Sequence, residues 1–332
     1  MPGTYRIFGS ELSPYSVKVR SYFRYKKIPH EWVLRSMDKM PEFQKYAKLP
    51  LVPMVVTPEG QGIQDSSPII EQMEAKFSEP SIHPKDPALY FLSCLIEEYA
   101  DEWGNKPMFH YRWTYEADQL SAAERIAKDQ MPPGSADPAV KATSQMVRQR
   151  MVPRLKFVGS SDQTKEIIEG SFKRQIAILE KHLAKRKYLF GNRPAYADFA
   201  LYAQLYQCST DPTPGAYMMQ KAPNTLAWIL RMLDLKSEGD FESWQDLKPT
   251  LFPLIRDEIG KIFFPWTAEN AKAVAAGAKE FQMELDGRPY SQEPQKYHAK
   301  SLGVLKQKYA AIADKSALDP ILEEAGCKKW LA

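Results

Sequence analysis

Two serines stand before prolines at predicted helix starts, where a hydroxyl group could contact an anion or a thiolate. Ser13 precedes Pro14, and the pair Ser66–Ser67 precedes Pro68. Proline is favoured in the first turn of a helix, and the free backbone N–H groups of that turn attract negative charge. Each serine also suits the simpler role of an N-cap for its own helix. The two starts therefore predict either ligand contacts or ordinary helix caps.

Pro53 interrupts an apolar, β-branched segment, residues 52–57, that otherwise predicts a strand. Proline has no N–H group to donate to a neighbouring strand, so it is found at strand starts, edges and bulges. One interpretation is a cis Val52–Pro53 bond at the start of the strand, which turns the adjacent backbone groups toward a ligand. The alternative is an edge strand with a trans bond.

Strand and helix patterns alternate around these residues up to about residue 80. The predicted elements are, in order, a strand at 5–8, a helix at 13–25, strands at 30–34, 52–57 and 62–64, and a helix at 66–77. Residues 86 to about 240 contain only helical periodicities. Three prolines in the intervening segment, residues 78–87, disfavour a continuous helix and indicate a boundary between two domains.

The length of 332 residues fits about two domains. Basic residues number 45 and acidic residues 41, and the net charge of +4 is too small for a nucleic-acid-binding surface, so no nucleic acid is expected as a partner. The three cysteines lie far apart and outside any metal-ligand spacing, so the sequence predicts no metal site and a reducing compartment. Neither a secretory leader nor an apolar run of about 18 residues is apparent, which predicts a cytoplasmic protein that binds no membrane.

Three sequence blocks in the first domain, taken in their order, resemble the glutathione transferase family. They are S-P-Y-S-x-K-V-R at 13–20, L-V-P-M-V at 51–55 and I-Q-D-S-S-P-I-I at 63–70. A fourth block, G-N-R-P-A-Y-A-D-F-A-L-Y at 191–202, resembles the signature of that family's second domain. The resemblance covers about residues 4–240.

The resemblance implies an α/β plus all-α fold. A thioredoxin-like, glutathione-binding domain at 1–80 is expected to precede an all-helical domain at 86–240. The resemblance also implies a homodimer that uses glutathione as co-substrate, without a metal, and a role in detoxification. The predicted function is a glutathione-dependent transferase that conjugates or reductively cleaves a small hydrophobic electrophile bound between the domains. The alternative is a binding or scaffold protein that keeps the fold and has lost turnover.

Five residues of the first domain acquire roles from the resemblance. It implies a cis bond at Pro53, with the Val52 backbone pairing with the cysteinyl part of glutathione. Asp65 and Ser66 would hold the amine and the carboxylate, respectively, of the γ-glutamyl end. Ser13, in the S-P-[FY] context of the serine-type subfamilies, would donate a hydrogen bond to the glutathione sulfur. Such a bond lowers the pKa of the thiol, so that the thiolate is the nucleophile.

Other residues compete for the role of Ser13, and two lysines compete for a further contact. The hydroxyl that faces the sulfur could instead come from Tyr5, Ser10 or Ser16. The family's basic residue ahead of the cis-proline is absent, so Lys39 is predicted to contact the glycyl carboxylate, with Lys48 as the alternative. No cysteine occurs near the first helix start, so a cysteine-type oxidoreductase is a much less favoured interpretation than the transferase.

Aromatic residues are dense between positions 99 and 115. Because the family's corresponding helix faces the second substrate, Tyr99, Trp103 and Tyr111 are predicted to line the electrophile pocket. The alternative is that they are core aromatics at helical spacing. His110 lies among them without a nearby carboxylate that could orient it, so it is not predicted to act as a base.

Two further features depart from the family pattern. Ala195 stands where the second-domain signature has Ser or Thr, so a cap of about 1 kcal/mol is expected to be missing while Asp198 remains. Residues 241–332 lie beyond the resemblance and contain an apolar stretch at 252–266. They are predicted to form a helical extension packed on the second domain, with helices at 268–285 and near 302–313. This extension would either wall the electrophile pocket or act as a stabilising flap.

Overall fold

The computed structural model describes residues 3–132 and 134–331. Residues 1, 2 and 332, which the predicted first domain and extension include, lie outside the described residues. The predicted α/β plus all-α fold is confirmed, with a thioredoxin-like sheet domain followed by a helical domain. Within the described ranges, no helix is both long enough and apolar enough to cross a lipid bilayer.

The first domain is built on a four-stranded sheet in the order β2-β1-β3-β4. Its elements are β1 (Tyr5–Gly9), α1 (Pro14–Tyr25), β2 (His30–Leu34), α2 (Met40–Gln44), β3 (Met54–Val56), β4 (Gly62–Gln64) and α3 (Ser66–Lys76). β1 pairs parallel with β2 and antiparallel with β3, and β3 pairs antiparallel with β4. Because α1 and α3 both begin beside the ends of these strands, their N-terminal turns lie close to the start of β3.

The two central strands of the sheet, β1 and β3, are buried. Ile7 and Val55 belong to the same apolar cluster as residues of α1 and α3. Phe8, Met54 and Val56 point the other way and pack against Phe43 of α2. This alternation follows from the two-residue repeat of a strand, and it holds β3 rigidly at the point where the site forms.

Among its described residues, the second domain contains eight helices. They are α4 (Pro87–Glu102), α5 (Asn105–Thr114), α6 (Glu116–Gln130), α7 (Asp137–Met151), α8 (Lys165–Leu183), α9 (Tyr196–Thr210), α10 (Pro212–Lys221) and α11 (Pro223–Arg231). A 3₁₀ segment, Val152–Val158, joins α7 to α8. α9 is buried on nearly every side, as its apolar sequence indicates, and packs against both α4 and α1. It therefore connects the two domains.

Asp198 compensates for the missing cap of α9. Its carboxylate accepts hydrogen bonds from the backbone N–H groups of Ala195 and Leu189 and from the indole N–H of Trp228, each at 2.9 Å. Burial raises the pKa of Asp198 to about 7, although these three donors oppose the shift. The helix start is thus held by the aspartate together with packing, although Ala195 has no side-chain oxygen.

The extension is not wholly helical, which corrects the sequence-based prediction. It contains α12 (Trp244–Pro253), a π-helical segment (Leu254–Phe263), α13 (Phe264–Ala275), β5 (Phe281–Leu285), β6 (Arg288–Gln292), α14 (Lys296–Ala311) and α15 (Leu318–Glu324). The helix predicted to reach residue 285 ends at Ala275, and β5 and β6 form an antiparallel hairpin. The turn residues Asp286 and Gly287 both have positive φ angles, 54° and 71°. Asp-Gly between two strands is a strong hairpin signal, so this motif could have revealed the hairpin.

The extension packs closely on the preceding helices. α14 and α15 contact α4, and the π-helical segment contacts α8. Apolar side chains of the first domain, the second domain and the extension belong to one continuous cluster, which includes Ile7, Leu92 and Phe263. The extension is therefore an integral part of the folded chain.

Candidate active site

A cavity of about 490 Å³ lies where β3 and α3 begin. Val52, Pro53, Asp65 and Ser66, four residues predicted to contact glutathione, all line it. Further walls come from α1, from the loop before Pro53 and from α14 of the extension. The cavity thus brings together residues that the sequence separates widely.

The Val52–Pro53 peptide bond is cis, which confirms that prediction. Pro53 immediately precedes β3, so its missing N–H group costs the sheet no hydrogen bond. The loop before it is held by Gln64 at the end of β4, whose side chain accepts from the N–H groups of Lys48 and Leu49 at 2.7 and 3.0 Å. The amide of Gln64 also donates to two carbonyl groups of this loop. Sequence reasoning missed this role of Gln64, because nothing near it in the chain indicates the loop as its partner.

Asp65 and Ser66 form the start of α3. Asp65 has a φ angle of 79°, and its side chain does not cap the helix but lies in the wall of the cavity. Ser66 is the first residue of α3 and is buried, and its hydroxyl makes no hydrogen bond within the described ranges. The first N–H groups of a helix have no partner inside that helix. This corner therefore offers a carboxylate beside a group of hydrogen-bond donors.

Ser13 is the N-cap of α1. Its Oγ accepts a hydrogen bond from the N–H of Ser16 at 3.2 Å, and its own proton is donated to no group of the described chain. Ser13 is half-buried and is not among the residues that line the cavity, although Tyr15, two residues on, does line it. The hydroxyl of Tyr15 donates to the carbonyl of Asp101 at 2.8 Å. The Tyr15 hydroxyl therefore already donates a hydrogen bond, whereas the Ser13 hydroxyl donates to no described residue.

The three competing hydroxyls have other surroundings. Ser10 donates to Asp129 at 3.1 Å. Ser16 is fully buried, and its Oγ accepts from the N–H of Ser10. Tyr5 is buried in β1, with its ring edge-on to Phe23. Among the hydroxyl groups of Ser10, Ser16, Tyr5 and Ser13, only that of Ser13 is partly exposed and donates no hydrogen bond to a described residue.

Lys39 and Lys48 occupy different positions. Lys39 is exposed at the start of α2 and lies outside the walls of the cavity, whereas Lys48 lines it. The geometry therefore favours Lys48, the alternative, over Lys39 as a partner for a ligand carboxylate. The spacing in the sequence could not distinguish Lys48 from Lys39, because contacts with Gln64 shape the loop that brings Lys48 to the cavity.

Tyr99, Trp103 and Tyr111 are buried in the helical interior and are not among the cavity walls. The indole of Trp103 donates to Ser171 at 2.8 Å, and the ring of Tyr111 packs edge-on against Phe172. These contacts match core packing, the alternative weighed for these residues. The aromatic side chains that do reach the cavity are Tyr15 and Tyr297.

Comparisons with known proteins match both domains to the same family. The model for the glutathione S-transferase N-terminal domain matches residues 7–81, and the model for the glutathione S-transferase C-terminal domain matches residues 146–231. The chain belongs to the glutathione transferase family. Both matched segments end before the extension, so α12 and the elements after it lie outside the family's matched domains.

Individual relatives of this transferase are distant. The isoprene-epoxide glutathione S-transferase of Rhodococcus sp. strain AD45 is 23% identical over 229 residues, which are 67% of this chain and 92% of the relative. The structure of the β-etherase LigF from Sphingobium sp. strain SYK-6 is 20% identical, with a TM-score of 0.47, and covers 69% of this chain and 94% of its own. A glutathione S-transferase from Rhodospirillum rubrum F11 is 15% identical, with a TM-score of 0.43, and covers 90% of this chain and 99% of its own.

A buried ionic network lies behind the transferase's cavity and joins the two domains. Lys18 of α1 donates to Glu97 and Asp101 of α4 at 2.5 and 2.6 Å, and to Ser67 of α3 at 3.1 Å. Burial raises the pKa of Asp101 to about 7, although Lys18 opposes the shift. Burial also acts to raise the pKa of Glu97, but the Lys18 ammonium outweighs it and holds that pKa below its ordinary value. The network fixes the start of α3 beside Ser66.

Glu102 lies in the same region and faces His298 of α14. Burial, with Glu97 and Asp65 nearby, raises the pKa of Glu102 to about 8. Burial lowers the pKa of His298 to about 3. With both groups neutral near pH 7, a protonated Glu102 carboxyl can donate to Nδ1 of His298, the atom that it contacts.

Replacing Glu102 with glutamine should become more favourable as the pH rises from about 6 to about 8. The folded wild type keeps its proton up to about pH 8, whereas the unfolded chain releases it near its ordinary value of 4.5. Wild-type stability therefore falls with pH in between, by up to about 1.4 kcal/mol per unit. Glutamine cannot ionise, and its amide can donate to His298. We expect the melting temperature of the variant, relative to wild type, to rise across this range.

The control for this titration is Glu116→Gln, at an exposed carboxylate on α6. Its melting temperature relative to wild type should change little between about pH 6 and about pH 8. If the difference in melting temperature between Glu102→Gln and wild type is also independent of pH, Glu102 is already ionised at about pH 6.

His110 belongs to a separate internal network that sequence reasoning did not find. Its Nδ1 lies 2.7 Å from Oγ of Ser160, and its Nε2 lies 3.2 Å from Glu169. Glu169 is therefore the carboxylate partner that the sequence around His110 lacks. Burial lowers the pKa of His110, although Glu169 opposes the shift. The histidine is buried and is not one of the cavity's walls.

Proposed function

We propose that this transferase binds glutathione in the cavity beside Pro53, holds its sulfur as a thiolate at Ser13 and transfers it to a hydrophobic electrophile. The observation that carries the proposal is the convergence of the cis Val52–Pro53 bond, Asp65 and Ser66 on one cavity. Glutathione has an ammonium group and two carboxylates. The cavity offers a carboxylate, a helix start and a lysine, which are complementary groups for each of them.

Ser13 supplies the activating hydrogen bond in this proposal. One lone pair of its oxygen accepts from the N–H of Ser16, and its proton, which is donated to no described residue, can be donated to sulfur. A donor stabilises the charged thiolate over the neutral thiol and thereby lowers the pKa of the thiol. The helix dipole at the start of α1 acts in the same direction. Ser13 is thus a hydrogen-bond donor, and the ligand's own sulfur makes the bond to carbon.

The remaining contacts orient the peptide. Asp65 would accept the hydrogen bonds of the γ-glutamyl amine, and Ser66 would donate to the γ-glutamyl carboxylate. The Val52 backbone would pair with the cysteinyl part, and Lys48, in place of Lys39, would meet the glycyl carboxylate. Each group binds one end of the ligand, so that the sulfur is held over the start of α1.

The electrophile would occupy the apolar part of the cavity. Leu49 and Leu51, which line it, are 57% and 61% exposed, and the ring of Tyr15 is part of the same wall. The name of the Rhodococcus relative makes an epoxide the first acceptor to test. The thiolate would form a bond to an epoxide carbon, the ring C–O bond would break, and the alkoxide would take a proton from water.

Turnover tests the proposal directly. Purified protein is incubated with glutathione and either an alkyl epoxide or an activated aryl halide, and formation of the thioether is followed by mass spectrometry. Thioether formation above the uncatalysed rate supports the transferase. Binding of glutathione without turnover of any electrophile, including an aryl thioether or ether that could be reductively cleaved, would favour the scaffold protein.

Replacing Asp65 or Ser66 with alanine should weaken glutathione binding by about tenfold or more, because each loses a hydrogen bond to a charged group worth about 1.5 to 3 kcal/mol. The rate at saturating glutathione should change less, since both residues hold the end of the peptide remote from sulfur. Steady-state kinetics separate the two effects. The matched control is Asp162→Ala, at a fully exposed carboxylate, and an unchanged KM in both site variants would reject the assignment of the subsite.

The assembly and location of the transferase are further parts of the proposal. A homodimer in the cytoplasm, acting in detoxification, follows from the family resemblance. All three cysteines are free and buried, which suits a reducing compartment. Light scattering on the purified protein tests the dimer, and a monomer at micromolar concentration would reject it.

A further inference from the structure

The extension brings two side chains of α14 to the wall of the cavity. Tyr297 and Lys300 both line it, and they lie three residues apart on the helix. Residues at this spacing project from the same face, about one turn apart. The family's matched domains end at residue 231, so these two residues belong to a segment that neither family match covers.

Tyr297 is bound to the residue expected to hold the γ-glutamyl amine. Its hydroxyl donates to both carboxylate oxygens of Asp65, at 3.1 and 3.0 Å. Desolvation of the hydroxyl, with Asp65, Glu102 and Asp101 nearby, raises the pKa of Tyr297, although the residue as a whole is 52% exposed. The group therefore stays protonated and remains a donor. A carboxylate has about four lone-pair sites. Asp65 can therefore accept from Tyr297 and from an ammonium group at the same time.

Lys300 is an exposed lysine whose ammonium makes no hydrogen bond or ion pair within residues 3–132 and 134–331. Lys308, on the same helix, differs because it pairs with Glu71 of α3 at 2.6 Å. Asp65, an acidic residue in the cavity wall, accepts from the neutral Tyr297 hydroxyl and makes no ion pair with Lys300. Lys300 thus presents an unpaired ammonium group to the same cavity, near the position at which the γ-glutamyl group is expected.

We propose that α14 completes the γ-glutamyl subsite, with Tyr297 as a positioning residue for Asp65 and Lys300 as the cation that binds the γ-glutamyl carboxylate. This inference rests on the proposed function. The amine and the carboxylate of a γ-glutamyl group are attached to the same carbon, so the groups that bind them must be close neighbours. The spacing of one helical turn between Tyr297 and Lys300, about 5 Å, satisfies that requirement.

Binding of S-methylglutathione by calorimetry tests the proposal without any need for turnover. We expect Lys300→Met and Tyr297→Phe each to raise the Kd about three- to tenfold, as for the loss of one partly exposed charged or charge-assisted contact. Lys300→Arg should retain binding because it keeps the charge. In an Asp65→Ala background, Tyr297→Phe should cause no further loss, since the tyrosine acts through Asp65.

The same helix provides matched controls. Lys296→Met removes an exposed lysine that is not in the cavity wall. Tyr309→Phe removes a hydroxyl that donates to Asp319 at 2.7 Å, outside the cavity. Neither control should change the Kd. Tyr297 is 52% exposed and Lys300 is exposed, so both variants should fold, which melting curves check.

Three results would overturn the proposal. A Kd for Lys300→Met equal to wild type would remove the lysine from the subsite. If that variant instead raises the KM only for anionic electrophiles, the lysine binds the acceptor. Tighter binding by Tyr297→Phe would show that the hydroxyl competes with the ligand. A wild type that binds no S-methylglutathione would defeat the proposed function as well, whereas normal wild-type binding with unaffected variants defeats this inference alone.

Discussion

Replacing Ser13 with alanine should lower kcat/KM for conjugation by about ten- to a thousandfold. The variant loses one hydrogen bond to a charged sulfur, and such a bond contributes about 1.5 to 4 kcal/mol to the transition state. Binding of glutathione itself should change less, because its amine and carboxylates keep their partners. The measurement is steady-state kinetics with a saturable electrophile, over a range of glutathione concentrations.

A second cap serine provides the control for Ser13. Ser243 is the N-cap of α12 and, like Ser13, accepts a hydrogen bond from an N–H three residues on. Ser243→Ala should therefore lose a similar capping energy, about 1 kcal/mol, with full activity retained. If Ser13→Ala is as active as Ser243→Ala, the sulfur is held by another hydroxyl, and Ser10, Ser16 and Tyr5 are the next to replace.

Replacing Lys18 with methionine should destabilise the folded protein by about 3 to 5 kcal/mol, the cost of leaving buried charged groups without a partner. Lys18 is completely buried, and both of its carboxylate partners, Glu97 and Asp101, are nearly so. Methionine keeps much of the side-chain volume, so the effect reports the lost charge rather than a cavity. Urea unfolding followed by circular dichroism measures the loss.

Lys39→Met provides the control for Lys18→Met. Lys39 is exposed and makes no ion pair with any other described residue, so its variant should unfold like the wild type. The same variant should bind glutathione normally, because Lys48 rather than Lys39 lines the cavity. A loss below about 1 kcal/mol for Lys18→Met would show that the two carboxyls become neutral on losing their partner and that the network adds little stability.

The sequence was most informative where a local rule applies. Pro53 within an apolar, β-branched segment indicated a strand near residues 52–57 and left the cis and trans forms of the Val52–Pro53 bond open, and serine before proline indicated the starts of α1 and α3. These signals depend on neighbouring residues only. The resemblance then linked them into one site, which no single signal does.

Predictions failed where long-range contacts decide the outcome. Nothing within a few residues of Tyr297 indicates Asp65, its partner 232 positions away, and nothing near His110 indicates Glu169. Tyr99 has the same aromatic character whether it lines a pocket or fills a core, and the packing of α4 against the extension decides for the core. The hairpin of β5 and β6 is a different case, because its Asp-Gly turn was present in the sequence.

The pKa of the bound glutathione thiol is the most direct test of the central claim, that Ser13 holds a thiolate in the cavity beside Pro53. The ultraviolet absorbance of the thiolate is titrated with pH in the complexes of wild type, Ser13→Ala and Ser243→Ala with glutathione. We expect a thiol pKa well below the ordinary value of about 8.5 in wild type and Ser243→Ala, and a return toward that value in Ser13→Ala. An identical thiol pKa in the Ser13→Ala and wild-type complexes would contradict the claim.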